Sequence, residues 1–286
     1  MLIIEPHAGV APVQQFIAQA RGVLDINTYL ATDDRLLASI ASAVRRGVKV
    51  RILVDSKPYG GRPAGEVARL RATGAQVRFA PPRFTGRYRY DHAKYMVDGS
   101  WIEIGSANLT ESAFTRNREY LWMGADAPVA RALRAVFQAD WTHGRAGASP
   151  RQWLVLSPYA TNTLVAVLQQ PGPVCVESEE LGKDRPILEA LRAKGAQVDM
   201  VLPVSLSAYD KRVAHGLSRS GVKIRYLRSP YMHAKLIVGQ KEAFIGSQNF
   251  SWTSLNRNRE VGLLLGPADA RRLRIQCQRD WRHAHP

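Results

Sequence analysis

The feature that most constrains the fold of this chain is an internal duplication. When the sequence is shifted against itself so that His92 falls on His233, Lys94 falls on Lys235 without a gap. The same shift superimposes three further pairs: Gly105 and Gly246, Ser106 and Ser247, and Asn108 and Asn249. It also superimposes RNRE at 116–119 on RNRE at 257–260. Ordered agreement of so many polar positions indicates two copies of one structural unit.

The duplication extends upstream of the histidines, where loops differ in length. Two pairs of segments correspond: RRGVKVRILVD (45–55) to AKGAQVDMVLP (193–203), and TGAQVRFA (73–80) to SGVKIRYL (220–227). The first copy has a longer loop before its histidine. We therefore predict two lobes, residues 1–150 and 151–286, with GRAGASP (144–150) as the connector.

Each half alternates between two kinds of hydrophobic pattern. RGVLDINTYL (21–30) and VKVRILVD (48–55) predict short strands, and DRLLASIASAVRRG (34–47) predicts an amphipathic helix that ends at Gly47. Strands that alternate with helices are typical of a sheet covered on both faces. The predicted fold class is therefore α/β: two pseudo-twofold-related α-β-α sandwich lobes with mixed, largely parallel sheets.

The charge of the chain points to anionic partners. Forty Lys and Arg residues against 24 Asp and Glu give a net charge of +16, and 45% hydrophobic residues provide for a substantial core. This excess favours nucleic acid, an anionic membrane surface or a phosphorylated substrate. The sequence shows no apolar run long enough to cross a bilayer and no secretory leader, which predicts a cytoplasmic protein, or a secreted or periplasmic one whose leader was removed.

The two cysteines lack the spacing of a metal site. Cys175 lies in the apolar run PVCV, which favours a small buried hydrophobic residue, and a disulfide with Cys277 is left open. Trp141 and Trp281, in the matching ADW and RDW segments, are predicted core anchors.

The duplicated His-x-Lys segments are the strongest functional signal. On a strand, this spacing places His92 and Lys94 on one face. HAKYMVDGSWIEIGSAN (92–108) predicts a strand, a turn at 98–100 and a returning strand that brings Asn108 towards the histidine. One such motif would favour a structural histidine, but two in register favour a cleft with paired His, Lys and Asn side chains.

That set of side chains suits phosphoryl transfer. Lysine and amide donors stabilise the oxygens of a phosphodiester, while one imidazole attacks phosphorus and the other protonates the leaving oxygen. Imidazole titrates in the range that both steps need. Glu119 and Glu260 are candidates to orient the imidazoles, and Ser106 and Ser247 are predicted substrate contacts.

HAKYMVDGSWIEIGSANLT and HAKLIVGQKEAFIGSQNFS resemble the paired motifs of the phospholipase D superfamily, and with the duplication the resemblance covers nearly the whole chain. It implies one active site between two lobes and phosphodiester cleavage through phosphohistidine, without metal or other cofactor. It also implies that one chain suffices as a monomer. The implied site residues are His92, Lys94, Asn108, His233, Lys235 and Asn249, with His92 as nucleophile and His233 as general acid.

The resemblance has one clear departure. The family motif carries an Asp at the positions of Gly99 and Gln240; Asp98 comes one residue early, and the second copy has no nearby Asp. Since the family Asp mainly supports structure, its absence questions local geometry more than chemistry. A catalytically weakened member that only binds nucleic acid or membrane stays open.

The longer first-half loop favours nucleic acid as the substrate. RFAPPRFTGRYRYDHAK (78–94) interleaves cationic and aromatic residues, a combination typical of single-strand grooves. The predicted contacts here are Arg83, Arg87, Tyr88 and Arg89. A nuclease acting on DNA or RNA is therefore favoured over a phospholipase D that hydrolyses or exchanges lipid headgroups. Peripheral contact of this loop with an anionic membrane is a further alternative.

Overall fold

The computed structural model describes residues 1–286, and its elements repeat in the two halves. The strands of the first half are β1 (Leu2–Glu5), β2 (Val23–Thr28), β3 (Lys49–Val54), β4 (Gln76–Phe79), β5 (Tyr95–Asp98), β6 (Trp101–Gly105) and β7 (Asn117–Ala125). Those of the second half are β8 (Val155–Ser157), β9 (Val174–Ser178), β10 (Val198–Pro203), β11 (Lys223–Leu227), β12 (Tyr231–Met232), β13 (Lys235–Val238), β14 (Ala243–Gly246) and β15 (Glu260–Leu265).

The helices follow the same repeat. They are α1 (Ala11–Gln19), α2 (Asp34–Arg45), α3 (Glu66–Ala72), α4 (Glu111–Thr115), α5 (Ala127–Trp141), α6 (Thr161–Leu168), α7 (Arg185–Lys194), α8 (Ala208–Ser218), α9 (Trp252–Asn256) and α10 (Pro267–His283), with short 3₁₀ helices at Pro82–Phe84, Ser149–Gln152 and Gly195–Gln197. No helix combines the length and apolarity needed to cross a membrane.

The two sheets have the same strand order. The first runs β1-β7-β6-β5-β2-β3-β4, and the second runs β8-β15-β14-β13-β9-β10-β11. In each sheet the three strands at one edge are parallel, and the other pairings within these orders are antiparallel. Outside the order of the first sheet, β12 pairs with β7 in parallel. The predicted two-lobed α/β class is confirmed, but the expectation of largely parallel pairing is wrong. The histidine-bearing segments continue into hairpins, which pair antiparallel, instead of into helical crossovers.

Local signals in the sequence account for helix α2 and its neighbours. Asp33 caps the helix by accepting hydrogen bonds from the backbone N–H groups of Arg35 and Leu36. Gly47, just beyond its end, has a φ of 90° that favours glycine. The helix over 34–47 and the strands on either side of it are confirmed.

A layer shared by both halves holds the sheets together. Helices α5 and α10 lie in the same apolar cluster as residues from both sheets, among them Tyr120 and Ile245. Trp141 belongs to this cluster and Trp281 packs against it, as predicted. Two separate clusters fill the outer faces of the sheets under the other helices.

A disulfide ties the second sheet to this shared layer. Cys175 on β9 is bonded to Cys277 on α10, with a Cα–Cα distance of 6.4 Å. Both residues are buried, as expected for Cys175, and the bond settles the pairing that the sequence left open.

Two buried ion pairs cross between the halves. Arg118 in the first RNRE segment donates to both carboxylate oxygens of Asp280 in the second half, at 2.6 and 2.9 Å. Arg259, its counterpart, donates to both oxygens of Asp140 in the first half, at 2.7 and 3.1 Å. Each duplicated arginine therefore binds the last helix of the other half, α10 for Arg118 and α5 for Arg259.

Candidate active site

The segment before each histidine pairs with the other half of the chain. Strand β12, just before His233, pairs with Asn117 and Arg118 at the start of β7. In the matching place, Asp91 forms a bridge with Arg259, and the backbone N–H of His92 donates to the carbonyl of Arg259 at 2.9 Å. Each histidine is thereby set beside the glutamate that ends the other half's RNRE segment.

The two imidazoles are held by exchanged glutamates. His92 Nδ1 lies 2.9 Å from Glu260 Oε2, and His233 Nδ1 lies 2.7 Å from Glu119 Oε1. His92 Nδ1 also lies 3.2 Å from the carbonyl of Ser247. Because these neighbours are acceptors, Nδ1 of each ring carries a proton, and Nε2 of His92 carries a lone pair when that ring is neutral.

The pKa shifts of His92 and Glu260 indicate the protonation state of each side chain. Burial lowers the pKa of His92, and Lys94 adds to that effect, while the Glu260 carboxylate opposes it. For Glu260 itself, burial opposes ionisation, but His92 and Lys94 outweigh it and lower the pKa. A neutral imidazole beside an ionised carboxylate is the state that a nucleophile needs.

Neighbouring hydroxyl and amide groups fix the two glutamates. Glu119 accepts from Ser106 Oγ at 2.6 Å and from Asn117 Nδ2 at 3.1 Å. Glu260 accepts in the same way from Ser254 Oγ at 2.6 Å and Asn258 Nδ2 at 2.9 Å.

The serines of the Gly-Ser turns support the site from within. Ser106 is buried against Glu119, and Ser247 is also buried, with its hydroxyl 3.3 Å from the carbonyl of Val261. Both hydroxyls bond protein groups, and a substrate contact of these two serines stays a prediction.

The glycines before these serines permit a close approach of strands. A Cβ on Gly105 would lie 2.1 Å from the carbonyl oxygen of Tyr120. A Cβ on Gly246 would lie 2.7 Å from Gly262 Cα. Only glycine allows each hairpin to pack this tightly against the strand that carries the glutamate.

The two lysines are buried and have different surroundings. Each Nζ donates to the carbonyl of its own half's histidine, at 2.6 Å for Lys94 and 2.5 Å for Lys235. Lys94 also lies over the ring of Tyr29, 5.3 Å from its centroid. Burial, partly offset by Glu260, lowers the pKa of Lys94 to about 7.

A cleft of about 480 Å³ lies between the halves. His92, His233, Asn108 and Asn249 line it together, so the structure joins the two predicted sets in one site. The Oδ1 atoms of both asparagines have no hydrogen-bond partner. Tyrosines form another part of the wall: Tyr29, Tyr59, Tyr88 and Tyr90.

The structure divides the arginine-rich loop into two parts. Arg83 donates to Asp140 at 2.7 Å and to the carbonyl of His143, outside the residues that line the cleft, and its role in substrate binding stays a prediction. Tyr88 lines the cleft, and Arg87 stacks over its ring at 5.2 Å. Arg87 is exposed and Arg89 is half-buried.

Sequence reasoning missed Glu179, which follows β9. Its Oε2 lies 2.7 Å from Lys235 Nζ and 3.4 Å from His233 Nε2. The corresponding residue after β2 is Tyr29, whose ring lies 4.7 Å from that of His92. The repeat itself carried the signal, since Glu179 is a charged residue where the other copy has an aromatic one.

The positions that depart from the family motif lie in turns. Gly99 has a φ of 57° in the turn between β5 and β6, a conformation that favours glycine over aspartate. Gln240 lies between β13 and β14, where its side chain donates to the carbonyl of Pro173 at 3.4 Å. Neither change separates the His, Lys and Asn side chains. No group of three or more His, Cys, Asp or Glu side chains is arranged to hold a metal ion.

Comparison with known proteins places this site in a family. A family model described as "Cardiolipin synthase, PLD-like domain" matches residues 13–141 and 180–281. The chain is 28% identical over 283 residues to the 5'-3' exonuclease PLD3 of Bos taurus, covering 86% of this chain and 55% of that protein. It is 28% identical over 140 residues to the mitochondrial cardiolipin hydrolase of Xenopus laevis, covering 48% of this chain and 63% of that protein.

A solved structure shares the fold across the whole chain. The phosphatidylserine synthase of Haemophilus influenzae Rd KW20 superimposes with a TM-score of 0.74 at 10% identity, over 99% of this chain and 86% of that one. The chain spans about half the length of the PLD3 relatives that it matches. The family match covers most of the chain and includes both histidines, so this protein belongs to the phospholipase D superfamily.

Proposed function

We propose that this protein is a metal-independent phosphodiesterase that cleaves DNA or RNA through a covalent phosphohistidine intermediate. The observation that carries the proposal is the pair of imidazoles facing one cleft, each with Nδ1 held by a glutamate of the other half. This arrangement leaves both Nε2 atoms for chemistry at a single phosphorus.

The first step is attack of His92 Nε2 on phosphorus. As the N–P bond forms, the P–O bond to the leaving alcohol breaks, and the proton on His233 Nε2 moves to that oxygen. The adduct leaves a positive charge on the His92 ring, which Glu260 stabilises. Lys94, Lys235 and the two asparagines would stabilise the charge on the non-bridging oxygens.

The second step is hydrolysis of the phosphohistidine. His233, now neutral, takes a proton from water as the oxygen attacks phosphorus. The N–P bond breaks, its electron pair returns to His92 Nε2, and both histidines regain their starting states. The cycle needs only water and the diester.

Three observations favour nucleic acid as the diester. The net charge of +16 suits a polyanion, because phosphate contacts release counterions. Tyrosine rings in the cleft wall, with Arg87 beside Tyr88, offer stacking surfaces for bases. The PLD3 relatives, which match 86% of the chain, carry the name exonuclease.

The compartment and the assembly state belong to the same proposal. Both histidine sets and both glutamates come from one chain, which favours a monomer as the working unit. The disulfide favours an oxidising compartment over the cytoplasm.

The test compares two diesters in the presence of EDTA. Labelled single-stranded DNA and phosphatidylcholine vesicles are each incubated with wild type and with His92→Ala. The proposal expects DNA cleavage by wild type only. Choline release without DNA cleavage would make the protein a phospholipase, and cleavage abolished by EDTA would overturn the metal-independent mechanism. If wild type cleaves neither, the protein is not a phosphodiesterase for these classes.

A further inference from the structure

The two halves of the cleft differ at a pair of equivalent positions beside the two histidines. Leu236 pairs with Glu177 across β13 and β9, and Tyr95, its counterpart in the repeat, pairs with Asn27 across β5 and β2. These registers make Tyr29 and Glu179 equivalent, each being the first residue after its strand. One histidine therefore has a phenol beside it and the other a carboxylate.

The carboxylate of Glu179 is tied to the second histidine–lysine pair. Oε2 lies 2.7 Å from Lys235 Nζ and 3.4 Å from His233 Nε2, while Oε1 lies 3.5 Å from the hydroxyl of Tyr231. Burial opposes the ionisation of Glu179, but His233 and Lys235 outweigh it and lower its pKa to about 2. A full negative charge thus lies beside His233 Nε2.

The first half offers no such charge to His92 Nε2. Its carboxylate partner, Glu260, lies at Nδ1, on the other ring nitrogen. Tyr29 is buried beside the ring, and burial raises the pKa of its phenol, which keeps it neutral. His233 is flanked by carboxylates at both nitrogens and His92 at only one.

We propose that Glu179 is a positioning residue that gives the two histidines different roles. Its charge stabilises the doubly protonated ring of His233, which makes His233 the proton donor to the leaving alcohol. His92, without such a neighbour, keeps a neutral ring with a free lone pair and acts as the nucleophile. This inference rests on the proposed phosphodiesterase activity.

The expected signature depends on the leaving group. Expelling an alkoxide from an oligonucleotide needs a proton, whereas p-nitrophenolate leaves without one. Glu179→Gln should therefore lower kcat on oligothymidylate by about 10²-fold or more, within the usual range for loss of acid catalysis. On bis(p-nitrophenyl) phosphate the fall should stay below about 3-fold, since attack by His92 is unchanged.

The variant that keeps the charge provides a second readout. Glu179→Asp, which keeps the charge, should restore most of the activity. Glu111→Gln is the control: it makes the same substitution at an exposed carboxyl outside the cleft and should leave both rates unchanged.

The outcomes separate the two proposals. If wild type cleaves both substrates and Glu179→Gln lowers both rates equally, the role of Glu179 is overturned and the phosphodiesterase stands. If wild type cleaves neither, both are overturned. Should Glu179→Gln fail to fold, the ratio of the two rates is read from Glu179→Asp, and an unchanged ratio overturns the role.

Discussion

Arg118 and Asp280 lie 162 residues apart in the sequence and form a buried, bidentate ion pair between the two halves of the protein. Removing one partner of such a pair leaves an uncompensated charge in the interior. We expect Arg118→Met to lower the free energy of unfolding by about 3–5 kcal/mol, measured by urea denaturation.

The matched control is Arg185→Met, which breaks the exposed pair with Glu189 on α7. It should leave the urea midpoint nearly unchanged, because exposed pairs are screened by solvent. Equal midpoints for the two variants would show that the crossed pairs do not hold the halves together.

Activity should depend on the charge of Lys94, whose pKa burial lowers to about 7. Lys94 binds phosphate only as the cation, so kcat/KM should fall as pH rises above about 7. Lys94→Arg keeps its charge, and its alkaline limb should therefore lie at higher pH. Identical limbs in steady-state pH profiles of wild type and Lys94→Arg would refute the assignment.

Stability should decrease with rising pH because of Glu103. Burial raises its pKa to about 8 from an ordinary value of 4.5. A carboxyl with a raised pKa in the folded state favours folding while protonated, and that contribution is lost as pH rises from about 4.5 through 8. Glu103→Gln should therefore match wild type near pH 4 and exceed it above pH 8, by an amount on the order of a few kcal/mol.

The measurement is the difference in unfolding free energy between wild type and Glu103→Gln across that range. Glu111→Gln, at an exposed carboxyl on α4, serves as the control and should track wild type. A difference for Glu103→Gln that does not change with pH would contradict the prediction.

A methyl group at Gly105 should disturb both stability and catalysis. The added Cβ would lie 2.1 Å from the carbonyl of Tyr120, so β7 must move, and Glu119 moves with it. We expect Gly105→Ala to cost about 1–3 kcal/mol of stability and to reduce kcat. Gly22→Ala is the control, because no atom lies within 4 Å of the position of its Cβ. Similar melting temperatures for the two variants would count against the close approach.

The disulfide should stabilise the fold by constraining the unfolded chain. Cys175 and Cys277 are separated by 102 residues, and breaking such a bond costs about 2–5 kcal/mol. Dithiothreitol should therefore lower the melting temperature of wild type and leave that of the double variant Cys175→Ala/Cys277→Ala unchanged. A reductant effect of the same size on both would mean that the bond contributes nothing.

The sequence predicted the residue types of the site better than their pairing. Spacing in register was enough to place each asparagine near the histidine of its own half, because a hairpin fixes its own geometry, and the family resemblance implied that the two halves share one site. The exchange of Glu119 and Glu260 between halves was not predictable, since no local pattern records which strand an interface brings near.

The same limit applies to the arginine-rich loop. Arg83 has the composition of a phosphate ligand, yet a buried Asp140 from a distant helix binds it. The residue type of an arginine indicates that it can bind phosphate or carboxylate. Tertiary packing determines which carboxylate lies close enough to bind it. Sequence reasoning missed Glu179, since its meaning depends on its distances to His233 and Lys235.

The exchange of glutamates bears on how such a chain arises. A single unduplicated half would contain a histidine without its carboxylate and would complete a site only by pairing with an identical copy. In such a pair the two subunits have the same sequence. The two histidines would therefore have the same residue beside them, and one could not have a phenol while the other had a carboxylate. Fusion of the halves into one chain is what allows Tyr29 and Glu179 to differ. The division of labour between the histidines is thus a property that gene duplication makes available.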